Sequence, residues 1–321
     1  MNVEQIKKVA CIGAGVIGSS WATNFALRGY PVCIYDIAQA PLDVAKKNVA
    51  SNIAFLLGKG VVTKDEASKA EQRVSYTTSI EEAVKDAQFI QESGPERYEI
   101  KRSVVGEIEK YTATDTIVAS STSGLLITEI AKFAQHPERF VGGHPYNPPH
   151  LIPLVEITKG EKTSEEALQC AYTFYEKIGK EPVILNKETL GFIANRLQLA
   201  LAREFMDLIL TGVCTVEDID KALLFGPGLR MAILGPILTM HLGGGAGGAK
   251  QLYTMIRESS QMWLKDMAHW TDIPLEWPDV AQEGVLKELE DRPAEFGKTS
   301  EEIIKFRDNM LIEILKMHKK L

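Results

Sequence analysis

The feature that most constrains this chain is a GxGxxG turn, Gly13-Ala14-Gly15-Val16-Ile17-Gly18, set between an apolar run from Val9 to Ile12 and a stretch with helical spacing. The flanks make it informative, because a glycine cluster alone marks many loops. Between a strand and a helix, Gly13 permits the tight turn, Gly15 lets a pyrophosphate approach the backbone, and Gly18 allows close packing of helix on strand. The helix start then offers unpaired N–H groups to the phosphates, which places Val16 and Ile17 at the cofactor. Val16, Ile17, Trp21, Phe25 and Ala26 also share one apolar face, expected to be buried, and Gly29 sits where the helix should stop. A second run, Val32 to Tyr35, completes a βαβ unit and ends at Asp36. An acid there accepts hydrogen bonds from the adenosine ribose and repels a 2′-phosphate, so the expected cofactor is NAD rather than NADP.

The rest of the chain falls into two textures. Residues 41 to 73 hold two polar helical stretches broken at Gly58 to Gly60, a helical excursion before Val74 resumes an extended pattern. Short apolar runs follow at Phe89-Ile90, Thr116 to Ala119, Phe140-Val141, Leu154 to Ile157 and Pro182 to Leu185, separated by charged helical segments such as Glu96 to Tyr111. This alternation predicts an α/β sheet, largely parallel at its start. From Thr189 onward the periodicity is helical, as in FIANRLQLALAREFMDLIL, with almost no β-rich run. A chain of 321 residues exceeds what one core usually serves. The expected fold class is therefore α/β, with a Rossmann-type dinucleotide-binding domain over residues 1–186 and an all-α domain over 187–321.

Composition excludes several classes of function. Hydrophobic residues make up 45% and charged residues 25% of the chain, which argues against disorder and fibrous repeats. A net charge of -7 gives nucleic acid no electrostatic reason to bind. No apolar run approaches the roughly 20 residues needed to cross a bilayer, and the opening MNVEQIKK lacks the apolar core of a signal peptide. A cytoplasmic protein without a membrane partner is expected. Cys11, Cys33, Cys170 and Cys214 form no CxxC pair and the histidines form no HExxH, so no metal is expected. The long apolar faces of the helical half lead to the expectation of a homodimer through helices 190 to 210 and beyond.

The chemistry is concentrated in GHPYNPPHLIPLVE, from Gly143 to Glu156. Its proline-rich centre cannot be a regular helix, so His144 should end one strand and Glu156 belong to the next. Neighbouring strands can then join an imidazole to a carboxylate, which fixes the tautomer and raises basicity. A histidine at a strand end serves as readily in a purely structural role.

The glycine fingerprint, His144-x-x-Asn147-Pro148 and Leu154-Val155-Glu156, in this order and spacing, resemble the 3-hydroxyacyl-CoA dehydrogenase family. The likeness extends through Ser120-Ser121-Thr122-Ser123 and Gly191-Phe192-Ile193-Ala194-Asn195-Arg196 and so covers most of the chain. It implies that His144 removes the hydroxyl proton, that Glu156 orients His144, and that Ser123 and Asn195 hydrogen-bond the substrate oxygen or hold the base. Without the resemblance, Ser123 would cap the following helix and Asn195 would cap or pack inside one. The segment FIQESGPERYEIK resembles the family's strand beneath the nicotinamide half of the cofactor. Glu92 and Glu96 match its two glutamates, the second being the nearer to a cofactor contact, and Glu92 equally suits a structural ion pair. Lys101 follows as a basic neighbour of the same cleft or as a solvated helix charge.

Pro145-Tyr146, Pro148-Pro149-His150 and FGPGLRMAILGPILTMHL, from Phe225 to Leu242, resemble the lambda-crystallin or L-gulonate 3-dehydrogenase branch and the L-carnitine dehydrogenases more than the thioester-oxidising branch. Arg230 lies among apolar residues in the last stretch, and a desolvated guanidinium needs an anion. That anion is either a free substrate carboxylate or an acid such as Glu217 or Asp220. The expected reaction is NAD-dependent oxidation of the 3-hydroxyl of a small L-3-hydroxy acid. A short-chain L-3-hydroxyacyl-CoA substrate and a non-catalytic lambda-crystallin-like protein are the alternatives.

Overall fold

The computed structural model describes residues 1–321. The first half of the chain runs β1 (Val9–Ile12), α1 (Val16–Leu27), β2 (Val32–Tyr35), α2 (Gln39–Gly58), α3 (Lys64–Gln72), β3 (Val74–Thr77), α4 (Ile80–Val84), β4 (Phe89–Glu92), α5 (Tyr98–Glu109), β5 (Ile117–Ser120) and α6 (Ile127–Ile130). It continues through β6 (Phe140–Pro145), β7 (Leu154–Lys159), α7 (Glu165–Lys177) and β8 (Glu181–Ile184). The strands form one eight-stranded sheet in the order β3-β2-β1-β4-β5-β6-β7-β8. Every pair is parallel except β6 with β7.

Parallel strands covered on both faces need continuous apolar side chains, and β1 supplies them: all four of its residues are buried. One face carries an aromatic cluster in which Trp21 stacks on Phe25 at 5.2 Å and Phe89 meets Phe174 at 4.4 Å. The other face packs Ile90, Val105, Ile108, Val118 and Phe140. Helix α2 turns Leu42, Ala45, Val49, Ile53 and Leu56 inward at helical spacing, and α3 opens on a capping box between Thr63 and Glu66. Strand order reverses between β1 and β4, so a crevice opens at their carboxyl ends, where such sheets bind ligands.

No strand follows β8. The remaining helices are α8 (Ala194–Leu210), α9 (Val216–Phe225), α10 (Pro227–Leu234), α11 (Pro236–Gly243), α12 (Gly248–Met255), α13 (Arg257–Asp266), α14 (Trp277–Asp291) and α15 (Ser300–Met317). Within this group α9 packs on α10 and α14, and α11 packs on α12. No single helix is long and apolar enough to cross a membrane.

Two compact units result, Met1–Asn195 with Leu315–Leu321, and Arg196–Ile314. The division thus falls nine residues beyond the 186 expected from composition. The helical pattern read from Thr189 onward starts inside the sheet unit: the amides of Ile193 and Ala194 donate to the Glu156 carboxylate, and the Glu188 carboxylate just before it accepts from Thr128 N. The terminal residues return to the same unit, where Lys320 pairs with Glu181. A second difference concerns α1. Val16 is 64% exposed, not buried, because it occupies the first turn, beyond the sheet that covers Trp21, Phe25 and Ala26.

Candidate active site

Strand register assembles the site. Ile12 pairs with Glu92, Glu92 with Ser120, and Ser120 with Gly142, so the chain leaves β1, β4 and β5 at one end of the sheet, where β6 carries His144. Gly13, Ser93, Ser121 to Ser123 and His144 therefore lie along a single edge.

At the glycine turn the three positions differ in what surrounds them. Gly13 has φ +100°, and a Cβ there would lie 2.7 Å from the Ser93 carbonyl oxygen. A Cβ on Gly18 would lie 1.9 Å from the Gly13 carbonyl oxygen, so the helix can approach the strand only because both are glycines. Gly15, the N-cap of α1, has nothing within 4 Å of the same position. Bare backbone facing open space at a helix N-terminus is the geometry that a pyrophosphate requires. Asp36 follows β2 and accepts a 2.9 Å hydrogen bond from Ala14 N through Oδ2. That bond anchors the carboxylate beside the glycine turn, in the place a ribose diol requires. Exposed Val16 and half-buried Ile17 form the first turn after Gly15. These residues fit NAD.

His144 and Glu156 are directly opposed across the antiparallel β6–β7 pair, so their side chains share a face. Nδ1 of His144 lies 2.8 Å from Oε2 of Glu156. Ile193 N and Ala194 N donate to Oε1 at 2.8 and 2.9 Å. Burial raises the affinity of the Glu156 carboxyl for its proton, but the bond from His144 and the two amide bonds outweigh it and hold the group below the usual carboxylate range. An ionised Glu156 only accepts, so the imidazole presents Nδ1–H to it and leaves Nε2 with a lone pair. The support is backbone strain: Phe192, at φ 49°, follows Gly191 at φ 73°. Buried Phe192 sets its ring 5.6 Å from the imidazole and leads directly into the two amides that bind Glu156.

Ser123 is exposed and held on both sides of its Cα. Its N–H donates to Glu96 Oε1 at 2.8 Å, and its carbonyl accepts from Asn195 Nδ2 at 2.8 Å. Asn195, in the first turn of α8, thus finds the partner that an amide in an apolar helix needs. Glu96 Oε1 also accepts from Thr122 Oγ1 at 2.6 Å.

Lys101 is not a solvated helix charge. It is 1% exposed, with Nζ 2.9 Å from Glu92 Oε2 and 3.7 Å from Glu96 Oε2. Helix α5 turns this residue toward the ends of β4 and β5, where the two glutamates supply the negative charge that permits burial. Glu92 completes its bonding with Gly94 N and Ser120 Oγ.

Sequence reasoning missed a buried layer beneath the edge. Gln91 donates to Ser121 Oγ at 2.8 Å and to the Gly143 carbonyl at 3.2 Å, and accepts from Tyr175 OH at 2.7 Å. Ser121 in turn bonds Ser93 at 2.9 Å. The signal was an amide directly after the apolar pair Phe89-Ile90, on the same buried strand, where it needs partners.

In the helical unit, Arg230 stands on α10 and is exposed, so the premise that it is desolvated fails. It pairs with neither proposed acid. Glu217 bonds Lys221 at 2.5 Å, and burial raises the Asp220 carboxyl while Arg292 opposes the shift.

A doubly wound sheet with a stripped glycine turn, an acid after its second strand and an imidazole–carboxylate pair at the same edge defines a dinucleotide-dependent oxidoreductase class. Residues 8–189 match the family model for the 3-hydroxyacyl-CoA dehydrogenase NAD binding domain, and residues 191–276 match the model for its C-terminal domain. The chain belongs to the 3-hydroxyacyl-CoA dehydrogenase family and is an NAD-dependent oxidoreductase acting on CH–OH. It is 39% identical to an L-carnitine dehydrogenase of Oceanobacillus iheyensis, covering 97% of each chain. It is 37% identical to an L-carnitine dehydrogenase of Streptomyces coelicolor, over 98% of this chain and 95% of that one. Among solved structures, the NAD+-dependent dismutase 5-formyl-3-hydroxy-2-methylpyridine 4-carboxylic acid 5-dehydrogenase superposes with a TM-score of 0.80 at 29% identity, covering 98% of both chains.

Proposed function

We propose that this enzyme oxidises the 3-hydroxyl of a small L-3-hydroxy acid of the L-carnitine or L-gulonate type to the 3-keto acid. The observation that carries the reading is the His144–Glu156 pair, in which an ionised, triply bonded carboxylate fixes the tautomer that leaves Nε2 basic. Nε2 takes the hydroxyl proton while the carbinol C–H leaves as hydride, giving ketone and a protonated imidazole that returns its proton to solvent. Bound NAD supplies the hydride acceptor. Gly13, Gly15, Val16, Ile17 and Gly18 hold its phosphates, Asp36 its adenosine ribose, and Glu96 with the Glu92–Lys101 pair borders its nicotinamide half. Ser123 and Asn195 hydrogen-bond the substrate oxygen or hold the base.

Relatives named L-carnitine dehydrogenase at 37 and 39% identity favour a free acid over a thioester. Arg230 is exposed on α10, where a guanidinium is open to a ligand, and we assign it to the substrate carboxylate. The test is NADH formation by wild type and Arg230→Met on L-carnitine, L-gulonate and L-3-hydroxybutyryl-CoA. The free acids should be preferred, and the variant should raise their KM by about 10- to 100-fold, as expected for a lost charge-assisted bond. A wild type that prefers the thioester, or a variant that binds hydroxy acids as before, refutes the carboxylate assignment.

The protein is further proposed to be a cytoplasmic homodimer. Leu224, Phe225, Ile233, Ile237 and Leu242 of α9 to α11 are each at least 60% exposed, a contiguous apolar stretch of chain that a second copy would cover. A monomer in gel filtration at micromolar concentration would count against it.

A further inference from the structure

Lys180, which precedes β8, is only 4% exposed. A buried amine ordinarily sits beside an acid. This one instead donates to the carbonyls of Pro149 and, at 3.2 Å, Ile152, and its nitrogen lies 5.2 Å from the centre of the Trp21 ring. Both carbonyls belong to residues 146 to 153, the connection between the strands that carry His144 and Glu156. The same connection is tied a second time. Ser20, buried in α1, accepts from His150 N at 2.8 Å, and its hydroxyl shares a second hydrogen bond of 2.8 Å with His150 Nδ1. Ser20 and Trp21 sit within one turn of Gly18 on the helix that opens the cofactor turn.

Two fastenings, one through a carbonyl-capping amine against Trp21 and one through a hydroxyl, therefore join a single loop to a single helix. Burying an amine is costly unless its hydrogens are taken up, and both carbonyls lie on the loop next to the catalytic hairpin. The two carbonyls and the Trp21 ring take up the amine in place of an acid.

We propose that Lys180, together with the Ser20–His150 pair, is a positioning device that fastens the 146–153 loop, and through it the His144 strand, to the cofactor helix. It keeps the base in register with the bound dinucleotide. The proposal rests on the reading of His144 as the base.

The test uses the full chain with Lys180→Met, which keeps the apolar stem and removes the donor, and Ser20→Ala, which opens the other fastening. Three quantities are measured for each: kcat for hydroxy-acid oxidation, Kd for NAD by quenching of protein fluorescence, and deuterium uptake by the peptide spanning residues 146 to 153. Each variant should lose about tenfold or more in kcat, since displacement of a reacting group by about 1 Å costs on that order. Kd for NAD should stay within about twofold, and uptake by the peptide should rise. The double variant should lose less than the product of the two single losses, because both act on one loop. Ser20→Thr, which keeps the hydroxyl, should restore kcat.

Raised uptake with unchanged kcat makes the fastenings merely structural and overturns the proposal. Unchanged uptake in both variants, or loss of NAD affinity in step with kcat, also overturns it. Should Lys180→Met not fold, Ser20→Ala carries the same three measurements. A wild type that binds NAD but oxidises none of the acids refutes the functional reading instead, and the uptake of the two variants then judges the fastening by itself.

Discussion

Replacing Glu156 by glutamine separates what its charge does from what its shape does. The carboxylate takes three hydrogen bonds, from His144 Nδ1 at 2.8 Å and from the amides of Ile193 and Ala194 at 2.8 and 2.9 Å. A glutamine oxygen can keep the two amides, so the strained turn at Phe192 should survive. The NH2 group then faces His144 and can only donate, which forces Nδ1 to become the acceptor and moves the ring proton to Nε2. The nitrogen proposed to take the substrate proton is thereby blocked. The interaction lost is one charge-assisted bond, worth about 1.5–3 kcal/mol. At about 1.4 kcal/mol per tenfold, kcat should fall by roughly 10- to 150-fold. The pH profile of kcat/KM should change as well, because the ionised group that fixes the ring tautomer is gone. Steady-state NADH absorbance across the range in which imidazoles titrate reads both quantities. Stability supplies an independent check. The folded-state carboxyl lies below its ordinary value of 4.5, so its contribution is present above that value and is lost as pH falls through the folded one. The glutamine variant should lack that acid-side loss. If kcat stays within about twofold and the profile superimposes on wild type, the reasoning fails and Glu156 is only a backbone anchor.

His144→Ala should lower kcat by several orders of magnitude while leaving NAD affinity nearly unchanged, and near-normal turnover would remove His144 from the mechanism. Lys101→Met leaves Glu92 as a buried anion without its cation, so urea unfolding should show a loss of about 3–5 kcal/mol. A loss under about 1 kcal/mol would show that Ser120 and Gly94 suffice to hold Glu92. Burial, with a smaller contribution from nearby Arg28, pushes Lys180 from 10.5 down to about 7. Below about 7 the amine is charged in both states and the full burial penalty applies; between about 7 and 10.5 only the unfolded chain holds the proton, so stability should rise with pH. The urea midpoint of wild type relative to Lys180→Met should climb across that interval, and a flat difference would refute the shift.

Local rules were enough for the sequence to determine the first βαβ unit. Alternation of apolar runs with glycines at fixed spacing places β1, α1 and β2, and the order of the later runs places the sheet, because strand identity depends on near neighbours in the chain. That His144 and Glu156 fall on successive strands was also legible, since the proline-rich link between them cannot be a regular helix; the antiparallel register that sets them directly opposite each other came only with the structure. Burial was not legible where it depends on what a distant segment brings. For Lys101 the sequence left open a place in the cleft or a solvated helix charge, and only the fold, which turns it onto Glu92 and Glu96, decided for burial. Arg230 looked desolvated because its neighbours in sequence are apolar, yet α10 leaves it exposed. The helical pattern begins at Thr189, but the carboxylate of Glu156 holds the amides of Ile193 and Ala194 within the sheet unit. Lys180 carries no local signature at all. Its partners lie about thirty residues earlier, at 149 and 152, and on α1, so only the folded chain could show what an amine without an acid is for.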